Sequence, residues 1–155
     1  MNTDINEYSN RRKTFAIERR TYAIPYLISG AIVLAISLFF SYLLNLPIEK
    51  IEILSVVTWS VGMATIYQCR CGFGYTHCEI GFIAGTIAFV LGSIGITLCF
   101  PIFVSKAFII CIISYGAWLI VMSFMHSHYE PFEQITGIVY CLTGLADIAF
   151  FYFVR

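Results

Sequence analysis

Residues 80–100 read IGFIAGTIAFVLGSIGITLCF, a stretch without a single charged side chain. A helix of about 20 apolar residues, rising about 1.5 Å per residue, is long enough to cross a hydrocarbon core of about 30 Å. Three further stretches, residues 24–46, 107–125 and 135–154, have a similar length and are predominantly apolar, although the last contains Asp147. The sequence therefore predicts an all-α fold made of helices integral to a membrane.

A fifth apolar stretch, residues 53–67, is shorter than the other four. It follows Glu49, Lys50 and Glu52, so it crosses a bilayer only if these side chains extend back to the headgroups. We therefore predict a helical bundle of five transmembrane helices, with four as the alternative.

The composition excludes several classes of protein. Hydrophobic residues make up 59% of the chain and charged residues 12%, whereas soluble domains contain about 45–50% and about 25%. The formal net charge is zero, which argues against a nucleic-acid partner because binding to phosphates needs a basic surface. The six cysteines do not indicate a disulfide framework, because several lie inside apolar stretches.

We divide the chain into a basic N-terminal segment, residues 1–22, and a single multi-pass transmembrane domain, residues 23–155. The basic side chains of the N-terminal segment are Arg11, Arg12, Lys13, Arg19 and Arg20. Positively charged flanks remain in the cytoplasm, so we expect a cytoplasmic N-terminus in a bacterial inner membrane. The segment could simply anchor the first helix, lie on anionic headgroups, or dock a soluble partner.

Two Pro-Ile pairs suggest an internal repeat of a helical hairpin. Pro47 and Pro101 each begin such a pair in a predicted turn. Each pair is followed at the same distance by two small residues, namely Ser60 and Gly62 in one case and Ser114 and Gly116 in the other. Superposing them lays the first two helices on the third and fourth, with the fifth helix added. The alternative is a chance recurrence, and the pattern is too degenerate to indicate a family.

Small residues on the third helix predict a surface for close helix packing. They recur at alternating spacings of four and three and so share one face: Gly81, Gly85, Ala88, Gly92 and Gly95. Such a face lets a second backbone approach closely, as helix association in lipid requires. The neighbour could be a helix of the same chain or of a second copy, giving a homo-oligomer.

The fifth helix carries a predicted polar stripe within the membrane, formed by Thr136, Tyr140, Thr143 and Asp147. Gly137 and Gly144 lie beside this stripe and predict a second packing surface. Asp147 is a functional candidate, because an ionisable group inside a bilayer is costly. The structural alternative is a carboxyl group that is protonated or hydrogen-bonded to a hydroxyl of another helix. We expect Lys106 or Tyr140 as its partner.

Thiols and imidazoles are predicted to gather at one end of the bundle, in two loops on the cytoplasmic side. They are Cys69, Cys71, His77, Cys78, His126 and His128. Zinc prefers these ligands in four-coordinate sites, although the spacing fits no standard zinc motif. The alternative is two solvated loops, and no other cofactor is expected.

No catalytic motif occurs in the sequence. Our first functional prediction is therefore a non-enzymatic, oligomeric membrane anchor, sensor or effector subunit with a membrane or cytoplasmic protein partner. A bacterial defence or immunity component would belong to this class. The first alternative is a small channel or transporter with a polar path at Asp147. The second is a metal- or thiol-dependent membrane enzyme or sensor that uses the Cys and His loops.

Overall fold

The chain folds into α-helices joined by short connections. The computed structural model describes residues 2–71, 77–125 and 131–154, with side chains for residues 23–69, 79–125 and 133–154. These residues contain five helices and no strand: α1 (Asn2–Leu43), α2 (Ile48–Cys71), α3 (His77–Cys99), α4 (Ile102–Met125) and α5 (Pro131–Phe153). The predicted all-α bundle is confirmed.

The helix boundaries follow from proline and asparagine. After α1 ends, Asn45 adopts a φ of 49°, a left-handed conformation that asparagine tolerates at helix C-termini. Pro47 and Pro101 immediately precede α2 and α4, and Pro131 is the first residue of α5. Proline suits these positions because backbone N–H groups at the start of a helix have no acceptor within the helix, so the N–H that proline lacks costs no helical hydrogen bond.

Four helices contain segments long and apolar enough to cross a membrane: Ala23–Leu43, Glu79–Cys99, Ile102–Met125 and Glu133–Phe153. The chain is therefore an integral membrane protein with four candidate spans. α1 also includes most of the basic N-terminal segment, since it begins at Asn2 and continues unbroken through Pro25. At about 1.5 Å per residue, α1 is roughly twice as long as the hydrocarbon core is thick.

The remaining helix, α2, lies antiparallel to α3 along most of its length. Cys69 faces Gly81 near one end of the pair, and Ser55 faces Gly95 near the other. α2 therefore reaches the same depths as α3. It is also longer than the predicted segment, residues 53–67, because its first turns include the charged residues that precede it.

Three hydroxyl-bearing residues in the middle of α2 are buried, whereas the exposed side chains of this part of the helix are largely apolar. Ser55, Thr58 and Thr65 are almost fully buried. Their hydroxyls donate to carbonyl oxygens one turn earlier in α2, at 2.6, 2.7 and 2.8 Å. Ile53 and Val57 are exposed. This distribution suits a lipid-facing helix, whose polar groups must be satisfied within the protein.

The helices form two hairpins, α2–α3 and α4–α5, that pack through the same glycine register. Gly62 of α2 meets Gly85 of α3, and Gly116 of α4 meets Gly137 of α5. A Cβ atom added to Gly85 would lie 3.1 Å from the Gly62 oxygen. One added to Gly137 would lie 2.8 Å from the Gly116 oxygen. The closest approach of the two backbones thus occurs at equivalent residues.

A second pair of contacts repeats in the two hairpins. Gly92 of α3 faces Trp59 of α2, just as Gly144 of α5 faces Ile113 of α4. The structural repeat consists of α2–α3 and α4–α5, with α1 outside it. The sequence pattern instead predicts a repeat in which α1 and α2 superpose on α3 and α4. Both versions superpose α2 on α4.

The two hairpins and α1 meet through α3. α1 packs on both α2 and α3, whereas the second hairpin contacts α3 mainly through α5. In the described part of the chain, no Cα atom of α2 lies within 8 Å of one in α4. A gap therefore separates these two helices on the outside of the bundle.

Candidate functional site: a lateral cleft and a buried carboxyl group

The small-residue face of α3 packs against helices of the same chain. Its four glycines, Gly81, Gly85, Gly92 and Gly95, each face a residue of α2. Ala88 is fully buried against alanines of α1. This face is therefore already occupied by α1 and α2.

The two glycines predicted to pack on α5 both face α4. Gly137 lies against Ile120 and the backbone of Gly116, and Gly144 lies against Ile113. The space beside each glycine is filled by an isoleucine side chain. The second small-residue surface is also used within the chain.

Asp147 is fully buried between α5 and α3. Ser93 of α3 donates its hydroxyl to Oδ2 of Asp147. Oδ1 is also buried, and it has no hydrogen-bond partner within the described ranges. This geometry matches the structural alternative derived from the sequence, a carboxyl group hydrogen-bonded to a hydroxyl of another helix.

Neither residue expected to bind Asp147 does so in the structure. The Nζ atom of Lys106 lies 5.8 Å from the centroid of the Phe151 ring, in a cation–π contact. Tyr140 instead makes ring contacts with Phe89 and Tyr115. Ser93 was missed because one sequence does not reveal which helices are neighbours. It is nonetheless one of the few hydroxyl-bearing residues in residues 80–100.

The polar stripe of α5 is divided between two environments. Thr136 and Tyr140 line one cavity. Thr143 and Asp147 line neither this cavity nor a smaller one bordered by Lys106 and Phe151. The Thr143 hydroxyl donates to the Val139 oxygen of its own helix, at 2.8 Å. The four residues therefore share a helix face without lining a single polar path.

The larger cavity is a cleft of about 540 Å³ in the gap between α2 and α4. Its lining is almost entirely apolar and aromatic: Trp59, Ser60, Met63, Ala64, Ile66, Tyr67, Phe108, Cys111, Ile112, Tyr115, Leu119, Thr136 and Tyr140. Met63, Tyr67 and Tyr115 are exposed on the outside of the bundle. The cleft therefore opens sideways, toward the lipid.

Aromatic rings form the walls of the cleft. The rings of Trp59 and Phe108 meet across the gap between α2 and α4, with centroids 5.4 Å apart. The Tyr140 ring lies 5.3 Å from Tyr115 and 4.5 Å from Phe89. Phe89 also approaches Trp59, with centroids 6.1 Å apart. These contacts fix the rings, so the cleft is largely preformed.

Two residues that line the cleft carry hydrogen-bond donors without acceptors in the described part of the chain. Tyr140 is only 5% exposed, and its hydroxyl makes no hydrogen bond with the side chains and backbone that the structure describes. The Trp59 Nε1–H is buried and also has no partner in those residues. Indole nitrogen can only donate. Because the Trp59 nitrogen is enclosed, the Tyr140 hydroxyl is the donor available to a molecule in the cleft.

Only one of the six predicted metal ligands has a described side chain. Cys69 is fully buried in a cluster with Ile24, against which Ile28 and Phe82 pack. The other predicted ligands, whose side chains lie outside the described residues, are Cys71, His77, Cys78, His126 and His128. Among the described side chains, no group of three His, Cys, Asp or Glu residues could hold a metal ion.

Comparison of the chain with protein-family models, with curated proteins and with solved structures gives no match. The chain is a multi-pass membrane protein built from two helical hairpins and one further helix.

Proposed function

We propose that the protein is a non-enzymatic membrane sensor or effector subunit that takes up a lipid-soluble molecule in the cleft between α2 and α4. The observation that carries this proposal is the aromatic cleft itself, which the helices of the chain leave open. Small-molecule sites are concave and mostly apolar, with few polar groups. The cleft has this character and opens toward the bilayer.

The volume of the cleft favours a small molecule over a helix. About 540 Å³ lies within the range of roughly 300–1,000 Å³ typical of ligand sites. Three turns of helix, about 16 Å long and about 10 Å wide, would occupy roughly twice that volume or more. A second copy or a partner helix would therefore cover the cleft rather than fill it.

We expect the subunit to act with a protein partner, either a second copy or another membrane or cytoplasmic protein. Both glycine surfaces are used within the chain, so assembly would involve the exposed surfaces. The basic segment, residues 1–22, is a candidate docking element, because its backbone continues α1 well beyond the first candidate span. A role in bacterial defence or immunity remains a class-level prediction.

We further propose that all five helices cross a bacterial inner membrane, with the N-terminus in the cytoplasm. The position of α2 along α3 and its apolar exposed face support this topology. Alkaline phosphatase fused after Arg155 should then be active, since the enzyme works only in the periplasm. A green fluorescent protein fused at that site should be dark. The opposite pattern would indicate four crossings.

The binding proposal can be tested by filling the cleft. Ala64 lines the cleft and is exposed, so Ala64→Trp should occupy it. Ala149 is exposed on α5 and does not line the cleft, so Ala149→Trp is the matched control. Native mass measurement of mildly solubilised protein should detect a bound small molecule with wild type and Ala149→Trp only. Equal retention by all three proteins, or by none, would contradict the proposal.

The alternative of a channel or transporter remains a prediction with less support. Asp147 is enclosed between two helices and borders neither cavity described here. Ion flux through reconstituted vesicles, compared for wild type and Asp147→Asn, would test it. A loss of flux specific to this variant would favour the channel over the binding subunit.

A further inference from the structure

We infer that the cleft selects an aromatic, lipid-soluble carbonyl compound, whose oxygen accepts a hydrogen bond from Tyr140. This inference rests on the proposed function, because it assumes that the cleft admits a ligand. It adds the chemical class of that ligand.

The aromatic lining favours an apolar molecule that carries aromatic rings. Trp59, Phe108 and Tyr115 present ring surfaces around the opening between α2 and α4. Aromatic side chains pack well against planar π-systems in offset or edge-to-face arrangements. A flexible acyl chain could also enter from the bilayer, but it would gain nothing specific from these rings.

The polar groups of the cleft favour an acceptor. The Tyr140 side chain lines the cavity and is only 5% exposed. Its hydroxyl has no hydrogen-bond partner among the described residues. An unsatisfied donor in an apolar site penalises ligands that cannot accept a hydrogen bond. A carbonyl oxygen accepts a hydrogen bond and, unlike a hydroxyl group, brings no donor that would itself need an acceptor in the cleft.

A pair of probes that differ only at the carbonyl tests this inference. 4-Bromobenzophenone has two flat rings joined by C=O, and 4-bromodiphenylmethane replaces the C=O by CH₂. The chain contains two tryptophans, so Trp118→Phe leaves Trp59 as the only tryptophan to report binding. Bromine quenches nearby indole fluorescence, and the concentration dependence of this quenching in detergent gives an apparent Kd for each probe.

We expect the ketone to bind roughly fivefold to tenfold more tightly than the hydrocarbon, as one hydrogen bond would produce. In the Trp118→Phe background, Tyr140→Phe should reduce that ratio to between one and two. Tyr152→Phe should leave it unchanged, because Tyr152 is exposed and lies outside the cleft. Irradiation of bound 4-bromobenzophenone should also label residues of the cleft, which peptide mass spectrometry can locate.

The outcomes separate the inference from the proposed function. Equal and saturable binding of both probes would overturn the carbonyl preference and leave an apolar cleft that accepts lipid chains. A ratio that survives Tyr140→Phe would overturn the role of this hydroxyl. No saturable quenching by either probe would overturn both proposals. Dissociation of a dimer by both probes alike would identify a second copy as the occupant instead.

Discussion

The α2–α3 and α4–α5 hairpins share a glycine register but differ in which helix carries polar residues at a set of corresponding positions. In the first hairpin, three of these positions on α2 hold buried hydroxyls, those of Ser55, Thr58 and Thr65. Gly116 of α4 is equivalent to Gly62 of α2. With these two glycines aligned, the equivalent positions of α4 are Ile109, Ile112 and Leu119. In the second hairpin, the polar residues compared here lie on α5, as Thr136, Tyr140, Thr143 and Asp147. The equivalent positions of α3 are Ala84, Ala88, Leu91 and Gly95.

This exchange shows that glycines and polar residues have separate roles in the fold. The glycines determine how closely the two helices of a hairpin approach. The hydroxyls of α2 bond to the backbone of α2 itself, so they need no partner from another helix. Asp147 of α5, in contrast, reaches Ser93 of α3. The second hairpin is therefore joined to the first through polar side chains of α5.

The same comparison explains why a cleft exists. Ala88 of α3 packs against Ala31 and Ala35 of α1, and such small side chains allow close approach. The residue of α5 equivalent to Ala88 is Tyr140, whose ring meets that of Phe89 in α3. Two rings need more room than three methyl groups. They hold the second hairpin away from the first and leave space between α2 and α4.

The largest expected effect concerns the shared glycine register. A Cβ atom at Gly62 would lie 2.8 Å from the Gly85 oxygen, and one at Gly116 would lie 2.9 Å from the Gly137 oxygen. Because backbone atoms cannot move aside, Gly62→Ala and Gly116→Ala should each lower the free energy of unfolding by about 1–3 kcal/mol. Unfolding by sodium dodecyl sulfate in bicelles measures the change.

Gly30→Ala is the matched control for this prediction. Its added Cβ atom would meet only a side-chain carbon of Val61, at 4.0 Å, so it should be neutral or slightly stabilising. A large loss for Gly62→Ala with none for Gly116→Ala would mean that the two hairpins do not pack equivalently.

A smaller effect is expected at the link between the hairpins. Oδ1 of Asp147 has no hydrogen-bond partner in the described residues, and Ser93→Ala would remove that of Oδ2 as well. Asp147→Ala removes the carboxyl group, so Ser93→Ala should cost less in that background. We expect a coupling free energy of about 1 kcal/mol from the double-mutant cycle in bicelles. Strictly additive losses would show that the hydrogen bond does not connect the hairpins energetically.

The sequence predicts the features of this fold that depend on one helix at a time. Long apolar stretches predict the four candidate spans, and residue spacing places the small residues of α3 on one face. α2 was the hardest helix to predict, because a helix that buries its hydroxyls and begins with charged residues has low average hydropathy.

Features that depend on two helices could not be predicted in this way. The bond from Ser93 to Asp147 requires knowing that α3 and α5 are neighbours and in which register. The cleft requires knowing how far apart the hairpins lie, which Phe89 and Tyr140 determine by contact. Helical spacing states which residues share a face, but not which face a neighbouring helix meets.

The smallest expected effect tests whether the hydroxyls of α2 satisfy themselves. The Thr65 hydroxyl lies 2.8 Å from the Val61 oxygen of its own helix and 3.4 Å from the Leu27 oxygen of α1. Thr65→Val keeps the shape and should lower the free energy of unfolding by only about 0.5 kcal/mol. The Thr86 hydroxyl of α3 is buried without a partner in the described residues, so Thr86→Val should stabilise the protein, because it removes an unsatisfied polar group. The two valine variants should therefore differ in sign in the same unfolding measurement. Equal destabilisation by both substitutions would contradict the hydrogen bond assigned to Thr65 and the lack of a partner assigned to Thr86 in the described residues.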